Sequence, residues 1–143
     1  MHPLSVLFYD RQVTLADKLI RRLGSVKHTH VALQVGPAIA HVAVGERPKW
    51  VTRKVYDKVL GYPVTELCLG YYQGNLTDLH AQINEACPQR ATILRTLWHH
   101  YVVGGMHPGC TQLTCALLRF MNYDVPDIPN PDTLKEYLEC RFF

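Results

Sequence analysis

Cys110, His30 and His41 are the residues whose types and spacing best fit covalent chemistry. Pro108-Gly109 breaks the chain just before Cys110, so a helix can begin there. Beyond it Leu113, Ala116, Leu117, Phe120 and Met121 recur at intervals of three and four, which predicts one apolar helical stripe. A cysteine in the first turn of that helix meets unpaired backbone N–H groups and the positive end of the helix dipole. Both stabilise an anion, and the thiolate is the nucleophilic form of cysteine. The same N–H groups can bind the oxyanion that forms when sulfur attacks a carbonyl. Histidine is the natural base for such a thiol because its pKa lies near neutral pH.

His30 and His41 stand on two predicted strands, 29–36 and 39–44, separated by the evident turn Gly36-Pro37. Period-two geometry puts His30, Ala32 and Gln34 on one face and Val31, Leu33 and Val35 on the other. On neighbouring strands the two imidazoles can approach, one as base and the other as its orienter. His28 would share the face of His30 if the register slipped by two. Cys115 lies five positions after Cys110, rotated away on the helix, and is expected in the core. Cys68, Cys87 and Cys140 read as structural thiols, and His99-His100 as a diverging pair. His107 reads as a surface loop residue.

The elements that must position these residues follow from the rest of the pattern. The apolar run 4–9 suits a buried first strand, and 14–23 a short helix between Thr14 and Gly24. Two further strands are expected over 49–55 and 63–69, with a short helical turn over 54–60 between them. Helical patterns cover 77–86 and 91–103, and a short terminal helix begins at Asp132 or Thr133 after a proline-rich excursion over 123–131. That order predicts a single α+β domain over 1–143, with helices packed on one side of a small antiparallel sheet.

Composition narrows the function classes. The net charge of +3, with no basic run interleaved with aromatics, excludes nothing but gives no sign of nucleic-acid binding. No apolar run is long enough to span a bilayer, so no integral membrane segment is expected. Residues 1–10 lack a basic segment followed by an apolar stretch, so no signal peptide is expected, and a cytoplasmic or virion-associated location follows. Five cysteines without a CxxC pair argue against a disulfide framework and against a cysteine-rich zinc site. His28, His30, His41 and Cys110 form no compact metal signature, so neither metal nor other cofactor is expected.

Three segments carry a resemblance. Thr29-His30-Val31-Ala32-Leu33-Gln34-Val35-Gly36 is similar to the "polar–His–aliphatic–x–aliphatic–x–Gly" strand of the permuted papain-like proteins, the group of NlpC-type peptidases and lecithin–retinol acyltransferase-like enzymes. Ala40-His41-Val42 resembles the second histidine strand of the acyltransferase-like branch, and Gly109-Cys110-Thr111-Gln112-Leu113 the start of the nucleophile helix. Asn130 to Leu138 resembles the proline-plus-helix ending of some microbial members. Residues 56–106 contribute little. Gln112 and Leu113 stand where the acyltransferase-like branch carries an acidic or aromatic residue.

The resemblance implies a circularly permuted papain-like fold with Cys110 as nucleophile, His30 as general base and His41 as orienter. It implies a thiol hydrolase acting on an amide (a peptide, peptidoglycan stem or isopeptide bond) or an ester. Tyr9 is a candidate for the second oxyanion donor, or a core tyrosine. Two alternatives stay open: a non-catalytic assembly or binding module, such as a phage-particle component, and a thiol acyltransferase.

Overall fold

A computed structural model describes residues 1–10, 30–42, 47–86, 110–128 and 131–143. The helices expected over 14–23 and 91–103 lie outside the described residues, as do His28, Cys87, His99, His100 and His107. Among the described residues five strands appear in chain order: β1 (His2–Tyr9), β2 (His30–Val35), β3 (Ala38–His41), β4 (Lys49–Thr52) and β5 (Thr65–Tyr72). The helices are α1 (Arg53–Leu60), between β4 and β5, then α2 (Leu76–Ala81), α3 (Ile83–Ala86), α4 (Cys110–Phe120) and α5 (Pro131–Phe142). The strands form one open sheet in the order β4-β3-β2-β1-β5, with every neighbouring pair antiparallel. The fold is α+β. No helix among the described residues is long and apolar enough to cross a membrane.

β1 is apolar on both faces because both faces are covered. Leu4, Val6 and Phe8 join Val31, Leu33 and Val35 of β2 in a core completed by residues of α2, α3, α4 and α5. Leu7 and Tyr9 point the other way and pack with Ala32, Ile39 and Tyr56 of α1. A continuous apolar run such as Leu4–Tyr9 is the pattern of a strand buried twice over. The expectation of helices on one side of the sheet is therefore corrected by α1, which seats Tyr56 on the opposite face.

Local chemistry sets the boundaries. The strand expected over 49–55 ends at Thr52, whose hydroxyl accepts the Val55 N–H at 3.3 Å and caps α1. Between β2 and β3, Gly36 takes φ 60° at the first central position of a two-residue hairpin loop, which matches the strand twist. Its N–H donates to the Pro3 carbonyl at 2.8 Å and ties the turn to β1. The helix expected over 77–86 divides at Gln82 into α2 and α3. α4 closes with Asn122 at φ 69°, while Tyr123 N–H reaches Leu118 O and Asn122 N–H reaches Arg119 O, both at 3.0 Å. That is a Schellman arrangement.

The buried side of α4 is wider than its apolar letters indicate. Thr111, Thr114, Cys115 and Leu118 are buried beside Leu113 and Leu117, whereas Phe120, expected in the stripe, is 38% exposed. The helix packs mainly on β2 and also on β3, which brings its first residue to the sheet.

Candidate functional site

His30 opens β2 and His41 closes β3. Antiparallel pairing places Tyr9 opposite His30 and Leu7 opposite Ala32, so His30 lies on the face of the sheet that α1 covers. His41 shares that face, because it alternates with Ala40 and keeps phase with Ile39. The two imidazoles meet edge to face, ring centroids 5.6 Å apart at 69°. The adjacency expected from the hairpin is present.

A third ring joins them. Tyr56 is 3% exposed, with its hydroxyl 2.5 Å from His30 Nε2. Its ring stands edge-on to His41 at 5.0 Å and to Tyr9 at 5.5 Å. α1 is held over the sheet by Arg53, three residues before Tyr56 and on the same side of the helix. Arg53 donates to Asp57 Oδ1 at 2.8 Å and to Gln34 Oε1 at 2.6 Å. Gln34, on the histidine face, also donates to the Gly36 carbonyl at 2.9 Å. Tyr9 is buried to 2% exposure, its hydroxyl has no hydrogen-bond partner among the described residues, and burial pushes its phenol pKa well up.

Cys110 is the first residue of α4 and packs against the cluster on the other face of the sheet, that of Val31. Burial pushes its thiol pKa up. Four donors oppose that shift: the Val31 N–H, the Thr111 hydroxyl, and the N–H groups of Thr111 and Cys110. The hydroxyl is 4.0 Å from the sulfur. The residue as a whole keeps partial exposure. Among the described residues no hydrogen bond joins Cys110 to His30. The histidines are thus brought together with each other, while the thiol reaches β2 from the opposite face.

Val31 N, which faces the sulfur, is bonded to the carbonyl carbon of His30. The arrangement offers a sulfur near backbone donors on one face of β2 and a pair of imidazoles on the other.

Sequence reasoning missed Tyr56 and Arg53. The segment was expected to hold only a helical turn, and the signal present was the Thr52 cap with Arg53 and Tyr56 spaced to share one helix face. The other thiols divide by burial. Cys115 is fully buried in the core, as expected, whereas Cys68 and Cys140 are exposed rather than structural.

Burial pushes the Cys115 pKa from 9.0 up to about 12. The folded state therefore keeps a proton that the unfolded chain releases above about pH 8.5. Stability from this group is fully present below that pH and is lost as pH rises toward 12. Urea titrations between pH 8 and 11 are expected to show falling stability in the wild type and a shallower fall in Cys115→Ala. Equal slopes would remove Cys115 as the cause.

No protein-family model, curated protein or solved structure matches this chain.

Proposed function

We propose that this protein is a thiol hydrolase of permuted papain-like type, with Cys110 as nucleophile and His30 as base. What supports this is that α4, which carries Cys110, packs on β2, the strand of His30, with His41 beside His30 on β3. His30 takes the thiol proton and the thiolate attacks the carbonyl carbon of an amide or ester. The N–H groups of Val31, Thr111 and Cys110 that face the sulfur are the nearest donors for the resulting oxyanion. Collapse breaks the bond to the amine or alcohol, which leaves with the proton held by His30. Water, deprotonated by His30, then cleaves the thioester and releases the acid. His41, edge-on to His30, restricts its ring. A peptide, isopeptide or peptidoglycan stem amide is the substrate class suggested by the resemblance.

A second reading is favoured by a different observation. The thiol is pushed toward its neutral form and lies across the sheet from the imidazoles. A binding or assembly module built on the same fold has no need to bring them closer.

Acylation separates the two readings. With p-nitrophenyl acetate the hydrolase is expected to release a burst of p-nitrophenol and to carry an acetyl thioester on Cys110, located by peptide mapping. Cys110→Ala is expected to lose the burst. Acetylation confined to the exposed Cys68 and Cys140, with none on Cys110, would leave the module reading in place.

A further inference from the structure

We propose that the groove between the end of β5 and the C-terminal end of α4 binds a short neutral saccharide. The groove encloses about 420 Å³, a volume in the range of small-molecule sites. α4 alone spans about 15 Å from Cys110 to Phe120. The groove is therefore a separate site, and it stands whether or not Cys110 is a nucleophile.

Its lining suits a polyol better than an ion. Tyr71, Tyr72, Phe120 and Tyr123 supply four rings, Gln73 and Asn122 two amides, and no lining residue is charged. Tyr71 and Phe120 are 60% and 38% exposed, so apolar ring surface is held in water. The four rings make no ring contact with one another, and they border the space instead of filling it. An aromatic face is the negative side of a quadrupole and attracts the polarised C–H bonds on one face of a sugar ring.

The hydrogen bonds select the ligand class. The Tyr72 hydroxyl donates to the Asn75 carbonyl at 3.3 Å, and the Tyr123 hydroxyl to the Leu69 carbonyl at 3.4 Å. With those hydrogens committed, both phenol oxygens are left to accept. A proline-rich segment has no N–H at its prolines and cannot use them. A saccharide hydroxyl both donates and accepts. It can give its hydrogen to a phenol oxygen and take one from the Asn122 side-chain amide, which makes no hydrogen bond among the described residues. Gln73 Nε2 donates to Met1 Sδ at 3.6 Å, a weak acceptor that a hydroxyl can replace. A quaternary ammonium would use the rings and leave both amides unpaired.

Two positions shape the groove. Asn122 has φ 69°, where glycine is the usual residue, so an amide is kept at the groove wall at a backbone cost. A Cβ on Gly74 would collide with the Tyr72 hydroxyl and ring, so glycine there lets that ring lie back against the chain.

The test titrates 15N-labelled protein with cellobiose, maltose and N,N′-diacetylchitobiose and follows the amides by NMR. At least one is expected to bind with a millimolar Kd and to shift amides of residues 71–74 and 120–123. Asn122→Gly removes the amide and keeps the backbone conformation, and Tyr71→Ala removes an exposed ring. Each is expected to weaken that binding by about fivefold with the fold intact. No shift from any of the three sugars at about 50 mM overturns the proposal. So does binding at the wild-type Kd in both variants, or shifts confined to other residues. Shifts at these amides from a proline decapeptide or from choline, with none from a sugar, overturn the saccharide in favour of that ligand.

Discussion

Phe8→Ala is expected to lower the unfolding free energy by about 3–5 kcal/mol, among the largest costs a single core truncation brings. Phe8 is 0% exposed and pairs across the strands with Val31. Side chains directly opposite in an antiparallel pair share a face, so the phenyl ring lies beside Val31 under α4. Removing it leaves a cavity with fully buried Leu117 and Leu118 of α4 in the same cluster. Little can collapse into it, because β1 is held by β2 on one side and β5 on the other. Urea denaturation measures the loss, and labelling of the buried Cys115 is expected to accelerate in step with it. Tyr71→Ala, on a side chain 60% exposed, is expected to stay within about 0.5 kcal/mol of wild type. Equal effects for the two would contradict a core centred on the α4 face.

His30→Ala is the second large effect, and it falls on reactivity rather than stability. The residue is half-buried at the end of a strand, so its removal leaves both core clusters intact. On the hydrolase proposal, what is lost is the base. An ordinary thiol with a pKa of about 8.5 is only about 0.3% thiolate at pH 6. Burial makes Cys110 less acidic still, and the surrounding N–H groups offset part of that. The proposal requires the His30 imidazole to take the thiol proton, and an imidazolium paired with a thiolate lifts the thiolate fraction toward unity. The expected cost of His30→Ala at pH 6 is therefore about a hundredfold in the rate of Cys110 alkylation. His41→Ala is expected to cost less, because Tyr56 continues to hold Nε2.

Much of the fold was legible in the sequence where periodicity and turn chemistry agree. The Gly36-Pro37 turn fixed the β2–β3 hairpin, and alternation from His30 to Val35 placed both histidines on one face. Residues 110–120 are helical, as the spacing from Leu113 to Met121 predicted. Three things were not legible. The face of α1 was hidden because eight residues carry too little apolar pattern to say which side of a sheet they cover. The rotation of α4 was missed because Thr111 and Thr114 are polar by letter yet buried. Which face of the sheet α4 covers is a tertiary fact, and it decides that the thiol arrives beside Val31 while the imidazole of His30 points toward Tyr56. Strand alternation fixes the two faces without saying which helix will cover each.

The most direct measurement is the rate of Cys110 alkylation by iodoacetamide from pH 5 to 9, with each cysteine followed by peptide mass spectrometry, in wild type and His30→Ala. Activation by His30 predicts rapid Cys110 modification near pH 6 in the wild type. In His30→Ala the rate is expected to drop about a hundredfold there and to rise only above about pH 8.5, as an unassisted thiol does. Cys110 labelling no faster than exposed Cys68 and Cys140 at any pH, and unchanged by the substitution, would contradict a catalytic thiol.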